Sequence, residues 1–290
     1  MTNIYAHRVT EALPREHTNF LLLSIQYSII PLFHKIIRIL LLVILVITPF
    51  SKRVSMIDAW LKRNERRLGL VLERVFWRRW LARRGGMDEA VFRAALDPYQ
   101  PISEYHCQFI DDIPGPVVRI LEVGSGPLTL LGKRHATKRL DIVPTDLLAD
   151  DYARMLAARG VVPPIRTILA DAQGLVNQFG EAAFDYVTAN NCIDHCADPV
   201  RALTQMLGVV KPGGWVSLRH REHEGARHAH RGLHKWSFGL EAGKPILFNR
   251  SVRIDLTTIT ADWGIMRLIP EPLHVAFAVR RTTRHAPDKT

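Results

Sequence analysis

Ten residues, Val118-Arg-Ile-Leu-Glu-Val-Gly-Ser-Gly-Pro127, constrain the fold of this 290-residue chain more than any others. They read as a buried strand running straight into a turn, where Gly124 and Gly126 let the backbone come close to a ligand that no side chain would clear. Beyond the turn, the chain repeats the theme of short apolar runs separated by amphipathic stretches. Strands are expected at 117–123, 140–143, 165–170, 184–189 and 215–218, and helices at 148–158, 174–179 and 199–210. That alternation is the pattern of a parallel sheet with helices on both faces. A helix over 254–263 should then lead to strands at 265–269 and 274–281. The Pro270-Glu271-Pro272 segment between these last two suits an antiparallel pair closing the sheet.

The chain ahead of this domain has a different character. Residues 1–55 are a hydrophobic segment, and 56–115 a basic helical extension and linker. The domain itself occupies 116–290, with a histidine-rich insertion at 219–250. Between Ser51 and Arg84 eleven Lys and Arg face three acids, so most of the net charge of +11 sits in this appendage and not in the domain. Trp60, Leu61, Leu68, Val71, Leu72, Val75, Phe76 and Leu81 share one broad helical face over 58–84, which Gly85-Gly86 ends. A shorter helix is expected at 88–95, and Asp97-Pro98 with Gln100-Pro101 marks a linker. The cleanest apolar run upstream, Ile39 to Ile47, is nine residues, well short of the roughly 20 that a simple spanning helix needs. Two readings stay open: membrane association, as a tilted span with snorkelling Lys35 and Arg38 or as a helix in the interface, or an unstructured extension ahead of a start at Met56. A basic run after a membrane segment stays on the cytoplasmic side, so the expected location is cytoplasmic, with attachment to the inner membrane face as the first of these readings implies. Cys107, Cys192 and Cys196 form no CxxC pair and read as reduced thiols.

Four further features carry chemistry. Glu122 stands just before the glycine turn, with Ser125 between the two glycines. Asp146, followed by Leu147, lies past the second strand and 22 residues beyond Gly124, where a carboxylate either accepts hydrogen bonds from both hydroxyls of a ribose or caps the next helix. Asp171 and Ala172 follow the third strand, where an Asp before Gln173-Gly174 can start a helix. Asn190 and Asn191 end the fourth strand at the open edge of the sheet, with Asp194 and His195 beyond them. The turn Lys211-Pro-Gly-Gly214 precedes the fifth strand.

The strand-acid-x-Gly-x-Gly arrangement resembles the first motif of class I methyltransferases, which bind S-adenosylmethionine (SAM). Phe76-Trp77-x-x-Trp80-Leu81, Asp146-x-Leu-Ala-x-x-Tyr152, Asn191-x-x-Asp-His195 and Gly232-Leu-His-x-Trp236-x-Phe238 resemble a bacterial group of these enzymes often associated with cell-surface polysaccharide genes. The likeness covers about residue 57 to the C-terminus. It departs at Leu128, where many members carry another glycine, and at Thr145 and Leu147. It implies a Rossmann-like α/β fold: a mostly parallel seven-stranded sheet ending in an antiparallel hairpin, with an N-terminal helical extension. It also implies SAM as cofactor, held by Glu122, Gly124, Ser125, Gly126, Asp146, Leu147, Asp171, Ala172, Asn190 and Asn191. The reaction it implies is methyl transfer to a small-molecule or saccharide acceptor, most simply at oxygen. An oxygen acceptor must lose a proton, and His195 is the first candidate base, with His220 and His234 behind it.

The insertion holds His220, His223, His228, His230 and His234. Such spacings hold zinc or another divalent metal only if Glu222 or Glu224 joins, and the interleaved Arg and Lys oppose it, so no metal is expected. A cap over the end of the fifth strand is the preferred role, with His234 and Trp236 stacking on a polar ring, or Trp236 packing in the core. Three rivals remain. A nicotinamide-dependent oxidoreductase wants a third glycine where Thr129 stands. A nucleic-acid methyltransferase wants its basic face on the domain itself, so no nucleic acid is expected. A non-catalytic SAM- or nucleotide-binding protein at the membrane would not need Glu122, Asp146 and both glycines together.

Overall fold

Alternation along β1 (Val117–Val123) fixes two faces of the molecule. Leu121 and Val123 point into one core, while Val118 and Ile120 point into another. All four are at most 3% exposed, and a strand buried on both faces belongs in the interior of a sheet. In the computed structural model, which describes residues 50–84 and 89–282, β1 lies between β2 (Arg139–Asp146) and β4 (Phe184–Asn190), parallel to both. The chain divides into two compact units, 1–63 and 64–290. The sheet belongs to the second.

Its seven strands run in the order β3-β2-β1-β4-β5-β10-β9, where β3 is Ile168–Leu169, β5 Val210–Arg221, β9 Gly264–Ile269 and β10 His274–Arg281. The first five are parallel; β10 inserts antiparallel between β5 and β9. The expected mostly parallel seven-stranded sheet with an antiparallel end pair is therefore the observed architecture. One face is covered by α6 (Pro199–Val209), whose Ala202, Leu203, Met206 and Leu207 are buried against Leu121 and Val187. Asp198 caps this helix by accepting the Arg201 N–H, and Pro199 starts it, a sequence signature that folds as it reads.

Four elements differ from the sequence reading. The stretch read as a linker contains α3 (Glu104–Ile110), preceded by α1 (Phe50–Ala82) and α2 (Glu89–Leu96). Phe109 and Ile110 of α3 are fully buried against Tyr186 and Trp215 on the second face. Seven residues make under two helical turns, too few to show a period between Pro101 and Pro114. The third strand shrinks to two exposed residues at the sheet edge. The helix expected over 254–263 is shorter, α8 (Leu256–Thr260), and is preceded by a strand, β8 (Arg253–Asp255), because Asp255 turns the chain by capping Thr257. The insertion is also more than a cap. After α7 (Glu224–Arg227) it forms β6 (Ser237–Glu241) and β7 (Lys244–Phe248), which with β8 make a second, antiparallel sheet.

The intervening helices are α4 (Ala149–Ala157) and α5 (Leu175–Phe179). A third core joins Leu81, Phe92 and Ala95 of the N-terminal helices to Leu128, Leu148, Tyr152 and Leu156, so the extension packs onto the domain here as part of its structure. The hydrophobic run before Phe50, on which the membrane expectation rests, lies outside the described residues. Among those described, no helix is long and apolar enough to cross a membrane.

Candidate active site

The C-terminal ends of β1 and β2 bring the expected cofactor residues together. Gly124 and Gly126 both take positive φ, +69° and +68°, a region that other residues enter at a cost. Protein crowds them as well as any ligand would. A Cβ on Gly124 would overlap the Cys192 side chain, and one on Gly126 would meet the Trp77 indole at 2.9 Å. Asp146 holds the turn: its carboxylate accepts the Gly126 N–H at 3.1 Å and the Leu148 N–H at 2.8 Å. Burial raises the Asp146 carboxyl above its usual range, and these two N–H groups offset part of the rise. The helix-capping contact and a place beside the turn are thus both real for this residue.

Glu122 is buried beneath the same turn. Burial pushes its carboxyl up to about 7, with hydrogen bonds from Thr129 and the Leu130 N–H drawing it back. One oxygen, Oε2, has no hydrogen-bond partner. A buried acid with a free oxygen beside a glycine turn suits a ligand with a cationic end, and the residues fit SAM on this ground. Ser125 is buried, with its hydroxyl 3.1 Å from Thr167 and donating to the Gly126 carbonyl. Leu147 is 41% exposed. Asp171 accepts the Gln173 N–H at 2.9 Å and so starts a 3-10 turn that includes Ala172. Asn190 ends β4 exposed, and Asn191, at φ +49°, accepts the Arg221 N–H at 2.6 Å, tying the end of β4 to the end of β5.

The three candidate bases converge on one carboxylate. Asp194, 3% exposed, accepts from His234 Nδ1 at 2.7 Å. His195 Nε2 lies 3.1 Å from the same His234 nitrogen, and His220 Nδ1 lies 3.8 Å from Asp194. Burial would raise the Asp194 carboxyl, but the hydrogen bond from His234 and the charges of His195 and His220 bring it below its usual range. Burial would lower His234, but the Asp194 bond and charge leave it raised. His220, buried and stacked on Phe238 at 4.0 Å, is held down to about 4 by burial against the pull of Asp194. Beside this cluster opens a cavity of about 160 Å³ lined by Asn191, Arg221, Glu224, Trp236 and Phe238 together with Asp194, His220 and His234.

Helix α1 supplies residues that the sequence reading left out. Trp77 lies on the Gly126 turn and edge-on to Tyr152, and its indole N–H donates to Glu73 at 2.7 Å. The Glu73 charge is felt by both Asp146 and His234, which places it between the two halves of the site. Glu65 accepts the Gly232 N–H at 2.8 Å and pairs with Lys235, and Leu233 packs on Gly69. The signal for them in the sequence was three acids in a helix otherwise rich in Arg and Lys, of which Glu65 and Glu73 are two. Asp194, the hub of the histidines, was legible only as their neighbour.

A dinucleotide-binding sheet continues in parallel and packs a third glycine against its loop. Here the sheet ends antiparallel and Thr129 bonds the buried acid. That combination is the class I, SAM-dependent methyltransferase fold. Residues 121–218 match the family model described as a methyltransferase domain. It is 30% identical over 139 residues to a ubiquinone biosynthesis O-methyltransferase of Paracidovorax citrulli, covering 47% of this chain and 56% of that one. The chain thus spans little more than half the length of that curated relative. Among solved structures it is similar to a putative SAM-dependent methyltransferase of Methanococcus maripaludis, at 10% identity and a TM-score of 0.42, covering 70% of this chain and 95% of that one. It is also similar to an O-methyltransferase family protein of Burkholderia thailandensis, at 14% identity and a TM-score of 0.40, covering 57% and 51%.

Proposed function

We propose that the protein transfers the methyl group of SAM to an oxygen of a small polar acceptor, with a hydroxyl of a sugar or surface-polysaccharide precursor as the preferred substrate class. The place of His195 carries this reading: just beyond the end of β4, its Nε2 lies 3.1 Å from His234 Nδ1 and 3.7 Å from the Asp194 carboxylate, and both of those residues line the cavity. Bound SAM supplies a methyl carbon already activated by its sulfonium. The chain must bring the acceptor oxygen into line with that carbon and take its proton, tasks worth a large part of the barrier. Glu122 and Asp146 bind the cofactor. His195 accepts the proton, and Asp194, reached through His234, stabilises the charge that results. The O-methyltransferase name of the curated relative supports oxygen as the acceptor atom. The sugar reading is supported by a cavity wall with two large aromatics, Trp236 and Phe238, among Asn191, Arg221 and Glu224, a mixture suited to a hydroxylated ring.

The test is titration of the full chain with SAM, S-adenosylhomocysteine and NADH, followed by incubation with methyl-labelled SAM and panels of sugars, nucleotide sugars and phenols. Binding of the first two and label on sugar hydroxyls are expected. Label on phenols alone removes the saccharide class, and tight SAM binding with no transfer to any panel removes the catalytic reading.

A further inference from the structure

The five histidines of the insertion do not gather at one point. Two of them, His220 and His234, reach Asp194, and His234 does so together with His195, about forty positions away in the chain. His234 Nδ1 is 2.7 Å from Asp194 Oδ2 and 3.1 Å from His195 Nε2, and His195 Nε2 is 3.7 Å from Asp194 Oδ2. A single proton on His234 Nδ1 aligns with one of these neighbours, so it cannot serve both well. The three donor atoms lie within 4.8 Å of one another, and their separations bracket the roughly 3–3.5 Å between ligands standing ~2.0–2.2 Å from a shared ion.

We propose that Asp194, His195 and His234 form a binding site for a divalent first-row transition-metal ion, with open coordination positions facing the cavity. Two imidazoles and one carboxylate suit zinc, iron or cobalt rather than magnesium or calcium, which prefer oxygen throughout. The second observation is His220. It is 2% exposed, lines the same cavity, lies beside Asp194, and its Nε2 has no hydrogen-bond partner. An unpartnered buried imidazole nitrogen costs free energy that a further ligand or a bound water would recover.

A neighbouring group, Glu224 with His228 and His234, also brings three donor atoms within 4.8 Å of one another. It is the weaker candidate. Arg221 and Arg227 lie 3.7 and 3.9 Å from Glu224 and already balance its charge, and the His228 side chain is 50% exposed. Among the described residues, the partners within ion-pair distance of Asp194 are all histidines, which as neutral imidazoles are ligands and not competitors. An ion in the preferred site would hold the acceptor oxygen in an open position and acidify its hydroxyl; His195, engaged as a ligand, would then not take the proton, which would leave to solvent water. This purpose rests on the proposed methyl transfer; the binding of the ion does not.

The experiment uses the full chain stripped of metal with a chelator and titrated with Co²⁺, followed by visible absorption and then by Zn²⁺ competition. Expected are d–d bands saturating at one Co²⁺ per chain and abolished by one equivalent of Zn²⁺. His234→Ala and His195→Gln should each weaken Co²⁺ binding at least ~100-fold with unchanged far-UV circular dichroism, while His228→Gln stays within about threefold. The His195 and His234 side chains are both partly exposed, 22% and 28%, so these two variants test the site without touching the buried Asp194. Absence of Co²⁺ bands, or loss in His228→Gln equal to that in His195→Gln, overturns the proposal. SAM titration of the same samples separates the two readings: bound SAM without bound Co²⁺ sinks the metal site and leaves the methyltransferase reading intact.

Discussion

On the β1–β2 side of the sheet, Asp146 gives its carboxylate to two backbone N–H groups of its own neighbourhood, and Gly124 and Gly126 are packed by Cys192 and Trp77. On the β4–β5 side, Asp194 is ringed by three histidines from the loop after β4, from β5 and from the insertion. The first region is framed by backbone within 117–146 and packed from outside by Trp77 and Cys192, with the carboxyl groups of Glu122 and Asp146 raised by burial. The second is assembled from distant segments, and its acid is held ionised. A turn fixed by backbone hydrogen bonds and close packing suits a cofactor that arrives the same every time. A charged cluster with an unsatisfied nitrogen suits proton or metal chemistry, where charge has to move.

The contrast predicts effects of different kinds. The largest is at His195. His195→Ala should lower kcat by ~10²–10⁴-fold, about 3–5 kcal/mol, while leaving SAM affinity unchanged, as steady-state kinetics and calorimetry can show. Near-normal turnover would collapse the division of labour between the two regions. Next comes acid stability. His220 is buried with its pKa lowered from 6.5 to about 4, so the unfolded chain takes up a proton that the folded chain refuses as pH falls through that window. Stability should therefore drop by about 1.4 kcal/mol per pH unit between roughly 6.5 and 4, about 3 kcal/mol in all. Chemical denaturation of His220→Gln should show a flatter profile there, and an unchanged slope would mean that His220 is protonated in the fold.

On the other side, Asp146→Ala should weaken SAM by roughly 100-fold, about 2–3 kcal/mol, through loss of a charged hydrogen-bonding partner. Unaltered affinity in a folded variant would reduce Asp146 to a capping residue. Smallest is Gly126→Ala. A methyl group at φ +68° facing Trp77 should cost about 1–2 kcal/mol of stability and displace the indole, read as a shift in tryptophan emission. No shift would mean that the turn relaxes without disturbing α1.

The same contrast explains which parts were legible in the sequence. The cradle was legible because its parts are local: an unbroken apolar strand, a Gly-x-Gly turn and a carboxylate after the next strand lie within 117–146. The boundaries of β1 and β10 match their expected spans because alternation and preceding prolines mark them. The histidine cluster was legible only as candidates. Nothing in the spacing of His195 and His234 says that both would face Asp194, because a separate sheet, β6-β7-β8, brings the insertion back toward the end of β4. That sheet escaped notice because its strands are three to five residues long and the histidines dominated the pattern. Helix α3 was hidden by its shortness, and Glu73 by the basic residues around it, which set the character of the helix.

Helix α1 grips the molecule at successive points along one side: Glu65 at Gly232 and Lys235, Gly69 under Leu233, Arg74 on Asp151, and Trp77 on the glycine turn. Those points lie over the cofactor region and over the insertion alike. On the proposed reading, a ligand at this turn sits beside the Trp77 indole, and one helix carries that indole together with the contacts to the insertion. The helix thus acts as a hasp across both halves, and the pace at which spent cofactor leaves should be set by how readily that hasp lifts.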